Sequence, residues 1–268
     1  MKNVIYQYWD GPMNPCIEYS KEQFKNYADK IGCDYIFEHN PKYVSNLGKY
    51  SPHYGAFKPV FESSFDKYDN VMFVDSDVFP VNNIEENIFS EFAATEKEIG
   101  ICEEWNAPKV RTKYTIAGIN NSNDEKWVKI IEDKWGVTLP RTKEGLPSVF
   151  NSGMVLYSKS GRDKAKKSFV NFSEYVKLIS ESGLPAFYTC DQPYIHAMLE
   201  VCKFDWVTMD YKWNSSVHYQ PSTPAPRPVV DLRNQDTNFV HIQLSGKYKL
   251  NKSQLNMVVN LPTSMWSL

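Results

Sequence analysis

The sequence predicts an α/β fold, a mainly parallel sheet with flanking helices, in one domain spanning residues 1–268. Three observations predict it. Val71-Met72-Phe73-Val74 is an unbroken apolar run, the mark of a strand buried on both faces inside a parallel sheet. Apolar strand-like runs alternate with stretches of helical period from Val4 to Val74, the pattern of crossover units. Helix punctuation falls between them: Asn14-Pro15 reads as a cap followed by proline at the first helical position, and Gly32 as a stop.

Taken in order, Val4–Tyr8 is a strand and Trp9-Asp10-Gly11-Pro12 a turn. Ile17, Phe24, Ala28 and Ile31 mark one face of a helix that ends at Gly32. Tyr35–Phe37 is a second strand, and Tyr54–Phe65 reads as a helix kinked at Pro59. After the strand ending at Asp75 come a short helix over Ile84–Phe89 and a strand over Ile99–Cys102. Asp124–Trp135 is a helix stopped by Gly136. Val149–Tyr157 is a strand interrupted by Asn151-Ser152-Gly153, where backbone would approach a ligand closely. A long helix over Arg162–Ser182, a helix over Asp191–Val201, and strands over Phe204–Thr208 and Phe239–Leu244 complete the reading. The segment from Tyr219 to Pro228, with four prolines, is a loop.

Composition narrows the function. A 42% hydrophobic fraction is ample for a core, and a net charge of −2 argues against a nucleic-acid partner. No apolar run is long enough to span a bilayer, and the N-terminus lacks the apolar core of a signal peptide, so a cytoplasmic protein is expected. Five cysteines without zinc-like spacing read as reduced thiols. Seventeen Tyr and seven Trp supply rings that stack on sugars or fill a core.

The chemistry centres on Asp75 and Asp77. In an extended chain, side chains at i and i+2 point the same way, so the two carboxylates would converge beyond the strand end. Two unpaired carboxylates that close repel each other, and a divalent cation relieves the repulsion. Ligands of open α/β sheets bind outside the carboxyl ends of the strands, where a cation could hold a diphosphate. The alternative is a solvated turn bearing two surface acids.

A series of short motifs extends this reading. Lys58, Tyr68-Asp69-x-Val71, Phe73-x-Asp75-x-Asp77 and Asn83-Ile84-x-x-x-x-Phe89 come first. Phe150-Asn151-Ser152-Gly153, Asp191-Gln192, Tyr211-Lys212-Trp213-Asn214 and His241…Gly246-x-x-Lys249 follow in order. Together they cover about half the chain, and their ordered conjunction resembles the glycogenin-like family 8 glycosyltransferases. The last motif is longer than the family's, with four residues between His241 and Gly246.

That resemblance implies a GT-A fold, Rossmann-like, with the donor nucleotide held by residues 1–120 and sugar and acceptor by residues 121–268. It implies transfer from a nucleotide-sugar, a UDP-sugar foremost, to a hydroxyl of a glycan, lipid-linked or protein acceptor, with retention of anomeric configuration. The implied metal ligands are Asp75, Asp77 and His241, and this donor set suits Mn2+ better than Mg2+. Gly246 and Lys249 would meet the phosphates, and Ser76 the donor. Asn151, Ser152, Asp191 and Gln192 would surround the transferred sugar, with Asp191 nearest the anomeric carbon and Asp191 and Gln192 catalytic. Taken alone, Asp191 reads more commonly as an acid complementing a helix dipole. Trp213 and Asn214 would lie at the acceptor. Tyr6, Tyr8 and Trp9 would stack on the base or fill the core, and Lys58 would contact the donor or pair with the Asp cluster. The segment from Glu103 to Tyr114, with Trp105, Arg111 and Lys113, and the proline-rich loop are expected at the acceptor or as a lid.

Two rivals are weighed. An aspartyl-nucleophile phosphatase also begins with strand and Asp-x-Asp, but it expects the pair on the first strand and a later acidic pair, and no Asp-Asp occurs in this chain. A catalytically degenerate scaffold that binds nucleotide-sugar or glycan is the other.

Overall fold

The chain is described by a computed structural model over residues 1–218, 230–233, 236–243 and 245–266. β1 (Asn3–Trp9) leads into α1 (Pro15–Ile31), whose ends lie where their chemistry dictates. The Asn14 side chain accepts from the N–H groups of Cys16 and Ile17, Pro15 opens the first turn, and Gly32 closes it at φ 69°. β2 (Asp34–His39) follows. The kinked helix expected over Tyr54–Phe65 is instead a set of short pieces: a 3-10 helix over Gly48–Phe57, α2 (Lys58–Phe61) and a 3-10 turn over Ser63–Phe65. Proline lacks an N–H, so Pro59 opens α2 rather than bending a longer helix.

β3 (Asn70–Val74) is buried throughout, and β4 (Val78–Pro80) follows a tight turn. α3 (Ile88–Ala94) starts four residues later than its apolar pattern, because the Asn87 side chain caps Phe89 and Ser90. β5 (Ile99–Glu103), α4 (Ala107–Lys113) and α5 (Asn121–Trp135) come next, α5 ending at Gly136 in the left-handed region. β6 (Phe150–Ser158) precedes α6 (Lys159–Ser168) and α7 (Phe172–Glu181), so the single helix expected over Arg162–Ser182 is two. Asn171 caps the second, and Phe169 and Phe172 at the break pack on Tyr194 at 5.7 and 5.2 Å. α8 (Asp191–Val201), β7 (Trp206–Met209), β8 (Ser215–His218), β9 (Val230–Asp231), β10 (Phe239–Gln243) and α9 (Lys252–Asn260) finish the described chain. The expected strand end at Leu244 and the proline-rich loop over 219–228 lie outside the described residues.

The main sheet has the order β2-β1-β3-β6-β5-β7. β1 runs parallel to β2 and β3, and β5 to β7; only β6 is antiparallel to its neighbours. That reversal matters for the site. With Val74 opposite Met154, the start of β6, Asn151 and Ser152, is carried to the carboxyl end of β3. A second sheet, β4-β10-β8-β9, places His241 opposite Val78, one residue after Asp77. Of this sheet, only the β10 strand was legible in the sequence pattern; its partners are short and lie far apart in the chain.

Much of the aromatic content is core. Tyr54, Phe57, Phe169, Phe172 and Tyr194 form one edge-to-face cluster between the sheet and its helices. All five cysteines are free, and no helix among the described residues is long and apolar enough to cross a membrane.

His196, on α8, sits between Trp127 and Phe150 at ring distances of 5.0 and 4.8 Å, its Nε2 unpartnered. Burial, with the Arg111 charge adding to it, lowers its pKa to about 3. The folded state therefore keeps it neutral while the unfolded chain binds a proton below about pH 6.5. Stability falls on acidification through that window, by about 3 kcal/mol at pH 4 from this residue alone. His196→Leu is expected to flatten the acid limb by that amount; urea titrations at pH 7 and pH 4 measure it, and an unchanged limb refutes it.

Candidate active site

Asp75 and Asp77 do not converge by strand alternation. β3 ends at Val74, and residues 75–78 form a turn closed by Val78 N–H donating to Asp75 O at 3.2 Å. The turn is fastened on three sides. Asp75 N–H donates to Gly153 O at 2.9 Å, Ile242 N–H to Asp77 O at 3.0 Å, and Ser76 Oγ to Tyr8 O at 2.6 Å. Gln7, wholly buried on β1, adds a bond from Nε2 to Asp75 O at 3.1 Å and is itself held by Tyr35 and Ser20. Ser76 thus anchors the turn, and Gln7 is a contributor that its position in an apolar strand disguised.

Three ligand atoms, one each from Asp75, Asp77 and His241, lie within 4.8 Å of one another. The orientation of His241 is determined by a chain of side chains. Asn151 Oδ1 accepts from Gly153 N–H at 2.7 Å, and its Nδ2 donates to Glu104, so this amide has one assignment. Asn214 must then give Nδ2 to Asn151 Oδ1, at 3.0 Å, and turn Oδ1 to His241 Nδ1, at 3.1 Å. His241 therefore carries a proton on Nδ1 and turns Nε2 toward Asp77 Oδ1, 3.3 Å away. Asp77 Oδ1 is buried and accepts no hydrogen bond among the described residues. An imidazole nitrogen and a second carboxylate gathered at a carboxylate oxygen with no hydrogen bond of its own fit a divalent cation.

Gly153 is required by this packing. A Cβ there would fall 2.6 Å from His241 Cε1 and 2.7 Å from Asn151 Oδ1. The close backbone approach read from Asn-Ser-Gly is real, but its immediate partner is the histidine.

The ammonium that reaches the site belongs to Lys247. Its side chain is nearly inaccessible and ion-pairs with Asp77 Oδ2, whereas Lys249, two residues on, is exposed. A 3-10 helix over Ser245–Lys249, with Gly246 buried in it, turns the first lysine inward. Burial opposes ionisation of Asp77, but Lys247 overrides it and holds the carboxyl well below its ordinary range. Burial, then the charges of Asp77 and Asp191, push Asp75 the other way. Tyr8, Trp9, His53 and Tyr248 complete a cleft of about 370 Å³ over the Asp pair, with the Trp9 and Tyr248 rings 5.8 Å apart.

No protein-family model and no curated protein matches the sequence. Solved structures do. A glycosyltransferase involved in the glycosylation of the major capsid of PBCV-1 is 11% identical, with 97% of this chain and 100% of that one covered at a TM-score of 0.53. The chain has a GT-A fold. The galactosyltransferase LgtC, in complex with donor and acceptor sugar analogues, is 10% identical over 97% of this chain and 98% of its own, at TM-score 0.47. Mouse xyloside xylosyltransferase 1 is 14% identical over 81% and 88%, at 0.44. The fold assignment rests on the first of the three.

The remaining candidates divide within this GT-A frame. Asp191, at the first turn of α8, lies 3.7 Å from His53 Nδ1, which borders the cleft. Burial raises its carboxyl, against His53 and the Ser152 hydroxyl that bonds to it. Gln192 instead lines a separate small cavity beside Asp124 and His196. Tyr6 is wholly buried, donating to Glu38 Oε2 at 2.8 Å, and Lys58 binds the same carboxylate at 2.6 Å, so neither meets the Asp pair directly. Tyr8 lines the cleft, its hydroxyl donating to Pro52 O at 2.5 Å and its ring lying where any Cβ on Gly55 would clash, at 2.7 Å. Trp213, expected at the acceptor, is wholly buried and gives its indole N–H to Glu91 at 3.0 Å. His53, outside every motif, and Glu104, inside the Glu103–Tyr114 segment but not singled out there, acquire their places from the packing.

Asn214→Ala removes the acceptor for His241 Nδ1–H and frees the ring. Loss of such an outer partner typically lowers metal affinity 10–100-fold. Titration of the variant with Mn2+ is expected to show a loss of that order; undiminished affinity would rule out the orienting chain.

Proposed function

We propose that the chain is a metal-dependent glycosyltransferase. It moves a sugar from a nucleoside-diphosphate-sugar, a UDP-sugar on the family resemblance, to a hydroxyl of a glycan, lipid-linked or protein acceptor. The observation that carries this reading is the meeting of Asp75, Asp77 and the oriented His241 at the carboxyl end of β3 in a GT-A fold. Asp75, Asp77 and His241 would hold the cation, Mn2+ in preference to Mg2+, and a bound cation neutralises charge on a departing diphosphate.

The chain's own residues do the rest. Lys247, released from Asp77 once a cation is there, supplies a second positive charge to the diphosphate, the role first assigned to Lys249. Trp9 and Tyr8 form the wall for the nucleoside. Asp191, held by Ser152, places a negative charge beside an oxocarbenium-like centre and stabilises it. Retention rests on the resemblance to the glycogenin-like family. In front-face transfer the acceptor oxygen bonds to the anomeric carbon as the bond to the diphosphate breaks, and the acceptor proton passes to the leaving phosphate oxygen.

The test is thermal stabilisation by a panel of nucleotides and nucleotide-sugars, with and without Mn2+. A ligand of the native state raises the midpoint by mass action. Stabilisation by one nucleoside diphosphate only with Mn2+ present is the expected result and identifies the base. No metal-dependent shift from any of them would leave the chain a degenerate scaffold.

A further inference from the structure

Between α4 and the second sheet lies a cavity of about 150 Å³. Its walls are Val110, Tyr114, Ile116, Ile119 and Leu232. Trp105 and Tyr114, among the few large hydrophobic side chains exposed in the described residues, stand at this place, and Trp105 meets Tyr211 edge-on at 6.3 Å. Its polar lining includes Glu104, Asn106, Arg111, Ser216 and Gln243. Glu104 Oε1 is occupied by Asn151 and by Gln243 Nε2, the latter at 2.9 Å, while among the described residues Oε2 has Arg111 alone, at 4.0 Å. Through Asn151 and Asn214, Glu104 is joined to His241.

We propose that this cavity selects the acceptor, and that the acceptor carries a compact apolar body, a ring or short alkyl group, next to the hydroxyl it presents. The inference rests on the transferase reading and adds the substrate class. A cavity of this size, lined mainly by apolar side chains, accommodates a benzene-sized group. A site for bare sugar would need donors and acceptors around its wall; here apolar side chains predominate, and Glu104 ties the cavity to the sugar-transfer centre. Glu104 Oε2 is left to accept from an acceptor hydroxyl, so the apolar body is buried while the hydroxyl faces the site. Trp105 and Tyr114 offer ring faces at the mouth for whatever extends outward.

The experiment compares matched phenyl and methyl β-glucopyranosides and β-galactopyranosides by calorimetric titration, with Mn2+ and UDP present and absent. The phenyl member of a pair is expected to bind about tenfold tighter or better, as burial of one such group predicts. Ile119→Asp should bring the pair within about twofold, and Ile119→Leu should keep the preference. Equal affinities, no binding of either, or a preference that survives Ile119→Asp overturns the proposal. The Mn2+-dependent nucleotide shift, followed on the same samples, reports on the transferase reading alone. Its retention in Ile119→Asp shows that the variant is folded. Its absence from the wild type, with the phenyl preference intact, would sink the reading and not the cavity.

Discussion

Asp77→Ala is expected to abolish Mn2+-dependent nucleotide binding and, in the ligand-free protein, to lower the melting point. The first effect follows from the loss of one ligand of three in a cluster whose atoms lie within 4.8 Å. The second follows from Lys247. Its ammonium is paired to Asp77 and almost shut off from water. Removing one partner of a buried ion pair leaves an uncompensated charge, at a cost of about 3–5 kcal/mol. Melting curves with and without Mn2+ and UDP separate the two effects. Asp77→Ala combined with Lys247→Met should regain stability, because no buried charge is stranded, yet still show no metal-dependent shift. A single variant that binds Mn2+-nucleotide like the wild type would end the metal assignment.

Lys247→Met is the second large expectation, and its sign depends on whether Mn2+ is present. Without the metal it leaves Asp75 and Asp77 unneutralised in a buried setting, which destabilises by a similar about 3–5 kcal/mol. A cation restores the balance. Mn2+ alone should therefore raise the midpoint more in the variant than in the wild type, where the lysine already occupies Asp77 and must be displaced. Turnover should nevertheless fall, by about 100-fold, if the ammonium is what meets the leaving diphosphate. Lys249→Met, on the exposed face of the same 3-10 helix, should change neither quantity by much. Equal Mn2+ shifts in wild type and Lys247→Met would show that lysine and metal do not share Asp77.

These two residues also mark how far the sequence could be read. The α/β alternation, the limits of α1 and the end of α5 were legible because they are local. An asparagine side chain reaches N–H groups two or three residues away, and a glycine relieves strain at its own φ. The Asp75–Asp77 pair was legible because a buried strand cannot end in two acids without a reason. His241 came from its order among the motifs, and the structure adds which nitrogen it presents. The two helices between Lys159 and Glu181 were misread as one because no proline or glycine marks the break, which is made by Phe169 and Phe172 turning into an aromatic cluster.

By itself, then, the sequence determined the α/β class, the limits of α1, the end of α5 and the identity of the acids at the end of β3. The tertiary structure decided what converges on them: Lys247 rather than Lys249, Asn214 as the orienter of His241, Trp213 as core, Glu104 as the link to a cavity. The reason is reach. Periodicity and caps act within a few residues of chain, whereas the pairing of Asp77 with Lys247 spans 170 residues and Asn151 with Asn214 spans 63. Which lysine of a turn faces inward depends on how the second sheet lies against β3, and that arrangement exists only once both sheets have packed.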